Sequence, residues 1–224
     1  ANACGCLGNL AMNDNIKLLI ANNPQMLRAI VDLFLSTDIP VLRQSLRTVF
    51  TLSADQEVRN RLSDIDTLLP NMINVYNIEG IDNEIKRDIA GALANLAIGV
   101  ADSKVNIVKA GGLIKLVGLI KDKDLVSTVL NDNFRDEEHS NEINPTEVLR
   151  QATRAIFALT SVKITKEQVV ELNAVKTLMN LVGKLMYKSP NTEIQKHSLG
   201  AIANIGSTFP ESIIKLNGVH LICN

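Results

Sequence analysis

The sequence predicts an all-α protein built as a right-handed solenoid of similar three-helix repeats. Three observations support this fold class: a seven-residue motif that recurs along the chain, a regular spacing between its copies, and a composition rich in aliphatic side chains. Apolar residues make up 46% of the 224 residues, whereas aromatic residues make up only 3%. This balance favours packed helices, and no segment shows the alternating pattern of a half-buried strand.

The recurring motif is a short segment with an asparagine among small and aliphatic residues. It is GCLGNLA from Gly5, GALANLA from Gly91 and GAIANIG from Gly200. Degenerate copies lie between these, RTVFTLS from Arg47 and RAIFALT from Arg154. Aligned on the asparagine position, successive copies are 42, 44, 63 and 46 residues apart. A period in the forties is typical of α-solenoids.

Each repeat carries start and stop signals for three helices. In one repeat, Asp55 precedes the first helix, Asp82 or Asn83 precedes the third, and Gly99 follows the third. Small polar residues before a helix and glycine after it are the usual caps. The motif lies in the last and longest helix of each repeat. We therefore predict third helices near residues 39–53, 83–98, 146–160 and 191–206.

One repeat is longer than the others by roughly 20 residues, which fall between its second and third helices. The apolar pattern of the second helix predicts that it continues to about Leu130. Because the chain starts within a third helix and ends within a second one, we expect it to be a segment of a longer solenoid. The predicted divisions are a partial repeat at 1–12, complete repeats at 13–54, 55–99, 100–161 (with an acidic insertion at 122–145) and 162–207, and a partial repeat at 208–224.

The insertion contains an acidic, aperiodic stretch, NDNFRDEEHSNE, over residues 131–142. Long loops without periodicity are usually functional or disordered. One interpretation is a passive disordered loop. The other is a tethered competitor for acidic ligands, because the stretch leads directly into the helix that carries Arg150 and Arg154.

Three helices per repeat, a period in the forties, small-residue turns such as AGG at Ala110 and the ALxNLA third helix resemble the armadillo repeat family. The resemblance covers nearly the whole chain. It implies that the third helices stack side by side and line a groove. It also implies a non-enzymatic scaffold or adaptor that binds an extended peptide of a partner protein.

The motif asparagines are candidates for holding the backbone of such a peptide. A carboxamide both donates and accepts hydrogen bonds. Helices pack ~8–10 Å apart and an extended chain advances ~3.3 Å per residue, so one repeat matches about three ligand residues. The alternative is that these side chains bend their own helix or bond to a neighbouring repeat. The candidates are Asn9, Asn95 and Asn204, with Thr51 and Ala158 interrupting the series.

Basic residues recur on the third helices, eight positions before the asparagine position. Arg47 and Arg154 lie one helical turn after two of them. Since guanidinium groups bind carboxylates bidentately, this pattern predicts a groove for acidic or phosphorylated peptides, as in the β-catenin branch of the family. The alternative is salt bridging to Asp82, Glu84 or Glu147 of adjacent repeats. The four recurring residues are Arg43, Arg87, Arg150 and Lys196.

Composition argues against several other classes of protein. The formal net charge of −1 and the few aromatic residues disfavour a nucleic-acid binder. No apolar run approaches the ~18 residues of a membrane span, and no signal peptide is recognisable. The three cysteines favour free thiols in a reducing compartment. We therefore expect a cytoplasmic or nuclear protein without direct membrane insertion.

The sequence contains none of the motifs expected of an enzyme. Phosphate-binding, dinucleotide-binding, zinc-protease and nucleophile-elbow patterns are missing. His139, His197 and His220 are scattered, without metal-ligand spacing. We therefore expect no enzymatic activity, no cofactor and no metal. Besides the peptide-binding adaptor, a second hypothesis is an armadillo-type regulator of small GTPases, acting as an exchange factor or chaperone. The sequence leaves the oligomeric state open.

Overall fold

The computed structural model describes residues 2–99, 101–131, 144–188 and 192–216. These residues form helices joined by short turns, and no strand occurs among them. The chain divides into two compact units, Ala1–Gly112 and Leu113–Asn224. We call these units the N-terminal half and the C-terminal half and describe each separately.

The N-terminal half contains eight described α-helices and one short 3₁₀ turn, Leu33–Leu35, after the third of them. The helices are α1 (Asn2–Leu10), α2 (Asp14–Ala21), α3 (Pro24–Asp32), α4 (Ile39–Leu52), α5 (Gln56–Ser63), α6 (Leu68–Val75), α7 (Asn83–Ala97) and α8 (Ala101–Lys109).

A further helix begins at the last residue of the N-terminal half, and the remaining ones lie wholly in the C-terminal half. These are α9 (Gly112–Lys121), α10 (Lys123–Asn131), α11 (Pro145–Leu159), α12 (Lys163–Glu171), α13 (Ala174–Lys188), α14 (Thr192–Gly206) and α15 (Pro210–Ile214).

The predicted third helices are confirmed. They are α4, α7, α11 and α14, and their ends lie within one residue of the predicted bounds. The capping side chains account for this agreement. Asp82 Oδ1 accepts the backbone N–H of Ile85 at 2.9 Å and so starts α7. Asn144 Oδ1 accepts the N–H of Thr146 at 2.8 Å, with Pro145 in the first turn of α11.

The long second helix predicted in the extended repeat is wrong, because the chain breaks at Asp122 into α9 and α10. Asp122 Oδ1 accepts the backbone N–H groups of Asp124 at 3.0 Å and Leu125 at 3.1 Å, which caps a new helix. Helix α10 then packs against α11 and α13. Residues 132–143 of the insertion lie outside the described residues, and with them most of the acidic stretch at 131–142 for which a competitor role was predicted.

The third helices form the most extensive contacts within each half. Helix α4 packs between α1 and α7 in the N-terminal half, and α11 packs against α14 in the C-terminal half. The fully buried side chains of α4 and α7 include Leu42, Leu46, Ile89 and Leu93. Burying each such side chain contributes about 1.5–3 kcal/mol. This packing fixes which faces of the third helices remain available to a ligand.

Candidate peptide-binding surface

The nine predicted site residues all lie on third helices, whose outward faces form the candidate surface. We call these faces the third-helix surface: that of α1, α4 and α7 in the N-terminal half, and that of α11 and α14 in the C-terminal half. The side chains in each half differ in burial and in hydrogen bonding. Those differences decide which of them a ligand can reach.

Asn95 lies between α4 and α7 rather than on the open surface. Its side chain is 4% exposed. The amide nitrogen donates to the backbone carbonyl oxygen of Phe50 at 3.3 Å and to the hydroxyl of Ser53 at 3.1 Å. These bonds join neighbouring repeats, as the alternative interpretation of the motif asparagines predicts. In this arrangement the amide nitrogen of Asn95 is already used within the protein.

The other two motif asparagines are more accessible. Asn204 on α14 is half-buried, and its amide nitrogen donates to Thr160 Oγ1 at 3.2 Å, again towards the preceding third helix. Asn9 on α1 is exposed. The three asparagines therefore share a position in the repeat but not an environment.

A close contact between an aromatic ring and a glycine accompanies each of the asparagine bonds. A Cβ atom on Gly91 would lie 2.5 Å from Cε2 of Phe50, and one on Gly200 would lie 2.7 Å from Cε2 of Phe157. Only the lack of a side chain on these glycines lets the rings approach so closely. This pairing was not predicted from the sequence. The signal was the phenylalanine that both degenerate copies of the motif carry.

Each degenerate copy is thus matched to the intact copy that follows it. Phe50 of α4, and Ser53 directly after α4, meet Gly91 and Asn95 of α7. In the C-terminal half, the corresponding phenylalanine of α11 and the threonine directly after α11 meet the glycine and asparagine of α14. In these two pairs, the glycine is a packing position and the asparagine a hydrogen-bonding position between neighbouring third helices.

Three arginines of the N-terminal half surround one carboxylate, Glu84, in the first turn of α7. The distances to its oxygens are 3.0 Å from Arg43 Nε, 3.1 Å from Arg47 Nη1 and 3.9 Å from Arg87 Nη2. Arg43 also donates to Asp82, and this hydrogen bond raises the pKa of Arg43. We call this group of side chains the Glu84 cluster.

A buried carboxylate, Asp88, adjoins the Glu84 cluster. Its Oδ1 accepts a hydrogen bond from Arg87 Nε at 2.7 Å, and its side chain is fully buried. Its Oδ2 has no hydrogen-bond partner among the described residues. Burial raises the pKa of Asp88 to about 6, and this effect is larger than the opposing effect of Arg87. Asp88 was not among the site residues predicted from the sequence.

The raised pKa of Asp88 predicts a pH-dependent stability. The pKa of Asp88 is higher in the folded chain than its ordinary value of 3.8. The protonated side chain therefore stabilises the fold, and this stabilisation is fully present below pH 3.8. It is lost as the pH rises through about 6. We expect an Asp88→Asn variant to lose this part of the pH dependence. The measurement is urea denaturation of both proteins at several pH values between 4 and 7. A difference in unfolding free energy that is constant with pH would contradict the prediction.

In the C-terminal half, the arginines bond within their own helix. Arg150 binds Glu147 through Nε–Oε2 at 2.8 Å and Nη2–Oε1 at 2.5 Å, one turn apart on α11. The hydrogen bond to Glu147 raises the pKa of Arg150. Arg154 Nη1 donates to Gln151 Oε1 at 3.2 Å. Lys196 on α14 is exposed.

The alternative to ligand binding was that the basic residues form salt bridges to carboxylates of adjacent repeats. The carboxylates considered were Asp82, Glu84 and Glu147. Glu84 joins α7 to the arginines of α4, across two repeats. Glu147 bonds within α11, so the expectation of a bridge between repeats is wrong for Arg150. Binding of a ligand by the basic residues stays a prediction.

Two features are absent from the part of the chain that the structure describes. No group of three or more His, Cys, Asp or Glu side chains there is arranged to hold a metal ion. No helix there has the length and apolar character needed to cross a membrane.

Comparisons with known proteins agree with this architecture. Residues 165–207 match the family model described as Armadillo/beta-catenin-like repeat. A search of curated proteins gave no match. Among solved structures, an engineered protein from a structural genomics consortium superposes with a TM-score of 0.77 at 23% identity, covering 98% of this chain and 79% of that one.

Two other similar structures are designed armadillo repeat proteins. One, in complex with the peptide (KR)4, has a TM-score of 0.76 at 19% identity, covering 98% of this chain and 82% of that chain. The other, computationally designed for modular peptide recognition, has a TM-score of 0.73 at 22% identity, covering 98% of this chain and 81% of that chain. The predicted resemblance is confirmed: the chain has the armadillo repeat fold, and residues 165–207 match an armadillo repeat.

Proposed function

We propose that this chain is a non-enzymatic interaction module, a scaffold or adaptor, that binds an extended segment of a partner protein on its third-helix surface. The observation that carries the proposal is the side-by-side packing of α1, α4 and α7, with polar and charged side chains on their outward faces. Designed proteins of the same fold recognise peptides, which supports the same use of the fold here. A cytoplasmic or nuclear location stays a prediction.

We propose an acidic segment as the ligand because exposed cations are among the side chains of this surface. The Arg47 side chain is 51% exposed, and Lys196 is exposed in the C-terminal half. The neighbour bound to (KR)4 shows that the fold also accommodates a basic peptide. The charge preference therefore has to come from side chains particular to this chain, and outward-facing arginines disfavour a basic ligand.

The ligand backbone is expected to contact exposed carboxamides. Asn9 is exposed on α1, and the half-buried Asn204 keeps part of its side chain at the surface. Asn95 contributes to the packing of α7 on α4 instead. In the N-terminal half, the proposed surface therefore presents Asn9 beside the arginines that select the side chains of the ligand. In the C-terminal half, it presents Asn204.

A peptide selection tests the proposal. A displayed library of random peptides would be selected against the chain, and the affinity of the recovered peptides measured at low and at physiological salt. We expect acidic peptides whose affinity falls with salt, because exposed charge pairs are screened over ~8–10 Å at physiological ionic strength. We also expect Arg47→Glu to weaken binding about tenfold or more, since it replaces an attraction with a repulsion.

Arg28 provides the matched control for this experiment. It is exposed on α3, away from the third-helix surface, so Arg28→Glu changes the net charge equally and should leave affinity unchanged. Recovered peptides that are insensitive to Arg47→Glu and to salt would contradict the acidic-ligand proposal. Binding of a folded small GTPase, without recovery of any peptide, would favour the regulator alternative.

A further inference from the structure

The Glu84 cluster has the composition of an anion site that is already occupied. Guanidinium groups from two helices meet at one carboxylate, with Arg43 and Arg47 on α4 and Arg87 on α7. Glu84 also lies in the first turn of α7, where the helix dipole favours negative charge. The carboxylate of Glu84 therefore marks the point where positive potential from both helices converges.

This point is open to solvent. The Glu84 side chain is 23% exposed and Arg47 beside it is 51% exposed. Two of the arginines have a further carboxylate partner, because Arg43 also bonds to Asp82 and Arg87 also bonds to Asp88. An incoming anion thus has to displace Glu84 alone, while the other two carboxylates keep the arginine side chains in place.

The charge and shape of the incoming group decide whether such a displacement is favourable. A carboxylate that replaces Glu84 exchanges one charge and two oxygens for the same, so it gains little. A phosphorylated side chain carries about −1.5 to −2 charge and three acceptor oxygens. It can bond to all three guanidinium groups at once, and arginine forks match phosphate geometry bidentately.

We propose that the Glu84 cluster is a binding site for a phosphorylated side chain of the partner segment, and that competition from Glu84 makes the site prefer this group over a singly charged carboxylate. This inference rests on the proposed function, since it assigns one specificity site within the third-helix surface. Phosphorylation of the partner then increases its affinity for the chain. Glu84 sets how large that increase is.

The test uses two short synthetic probes, Ac-Gly-pSer-Gly-NH2 and Ac-Gly-Glu-Gly-NH2, titrated at constant ionic strength. Binding is followed through the arginine Nε–Hε resonances in NMR spectra. We expect the unmodified chain to bind the phosphoserine probe in preference to the glutamate probe. Glu84→Gln should strengthen binding of the phosphoserine probe about tenfold, because it removes the internal competitor and keeps the side-chain shape. Arg47→Ala should remove the preference.

Glu57→Gln is the matched control. Glu57 on α5 pairs with a single arginine, Arg61, at 2.8 Å, so this substitution removes one surface charge without freeing a three-arginine site. An equal increase in affinity for the phosphoserine probe in Glu57→Gln and Glu84→Gln would overturn the proposal. Equal affinity of the unmodified chain for the two probes would also overturn it. Tighter binding to vesicles containing phosphoinositide than to the phosphoserine probe would overturn it as well. Unchanged circular dichroism spectra would confirm that each variant folds.

The outcomes for this site and for the proposed function are separable. If selected peptides bind the third-helix surface but Glu84→Gln changes the affinity of neither probe, the proposed interaction module is supported and the phosphate site is contradicted. If the phosphoserine probe behaves as expected but no peptide is recovered, the site stands and the extended-peptide proposal falls.

Discussion

A Gly91→Ala variant is expected to lose about 1–3 kcal/mol of stability, the usual cost of overpacking a core contact. The added Cβ would lie 2.5 Å from Cε2 of Phe50 and 2.9 Å from two further ring atoms. Either the ring must turn away or α7 must move off α4, and both moves loosen the contact that holds the two third helices together. Chemical denaturation monitored by circular dichroism measures the loss.

Gly118→Ala is the control for Gly91→Ala. Gly118 lies within α9, and a Cβ added there meets nothing within 4 Å. The free energy of unfolding of this variant should increase by roughly 0.5–1 kcal/mol, because alanine is a better helix former than glycine. A smaller residue at position 50 should rescue the first variant, so the effects of Phe50→Ala and Gly91→Ala should not be additive. Equal stabilisation by both glycine substitutions would show that the Phe50 ring yields freely.

An Asn95→Ala variant is expected to lose about 1–3 kcal/mol of stability, because it leaves buried groups without their hydrogen-bond partner. The side chain is 4% exposed, and its amide nitrogen bridges the Phe50 carbonyl and the Ser53 hydroxyl. From the sequence alone, the same substitution is expected to weaken peptide binding and spare the fold. The burial of Asn95 reverses that expectation. Urea denaturation and peptide titration of the same preparation show whether the substitution lowers stability or peptide affinity.

Asn9→Ala provides the comparison for Asn95→Ala. Asn9 occupies the equivalent position in the motif but is exposed on α1, so its removal should change stability by less than about 0.5 kcal/mol. If Asn95→Ala instead unfolds like the unmodified chain and binds selected peptides more weakly, Asn95 must leave its bonds to α4 when a ligand arrives.

The helices could be predicted because their determinants are local. The period of the motif located each third helix, and capping residues such as Asp82 and Asn144 set where these helices begin. The break between α9 and α10 at Asp122 was not predicted, although Asp122 is itself a capping residue. The helical spacing of apolar residues continues without interruption on both sides of Asp122, so this spacing alone predicts one continuous helix. The side chain of Asp122 nevertheless caps a new helix there.

The candidate site was less predictable because burial depends on how neighbouring helices pack. The spacing that places Asn9, Asn95 and Asn204 in equivalent positions carries no information about how closely the preceding helix approaches. The salt bridges of Glu84 could be named as an alternative because opposite charges recur in register on successive repeats. The burial of Asp88 could not be inferred, since a charge beside Arg87 is equally compatible with an exposed pair.

The contacts of Phe50 with Gly91 and of Phe157 with Gly200 have a consequence for how such a chain can grow. Glycine and arginine alternate at this position of successive third helices, in the order Gly5, Arg47, Gly91, Arg154 and Gly200. Duplication of a repeat with arginine at this position, or deletion of one with glycine, would bring an arginine to the place where a ring requires glycine. Duplication of two adjacent repeats keeps ring and glycine together. A change in length by two adjacent repeats is therefore the change that preserves this packing wherever it occurs.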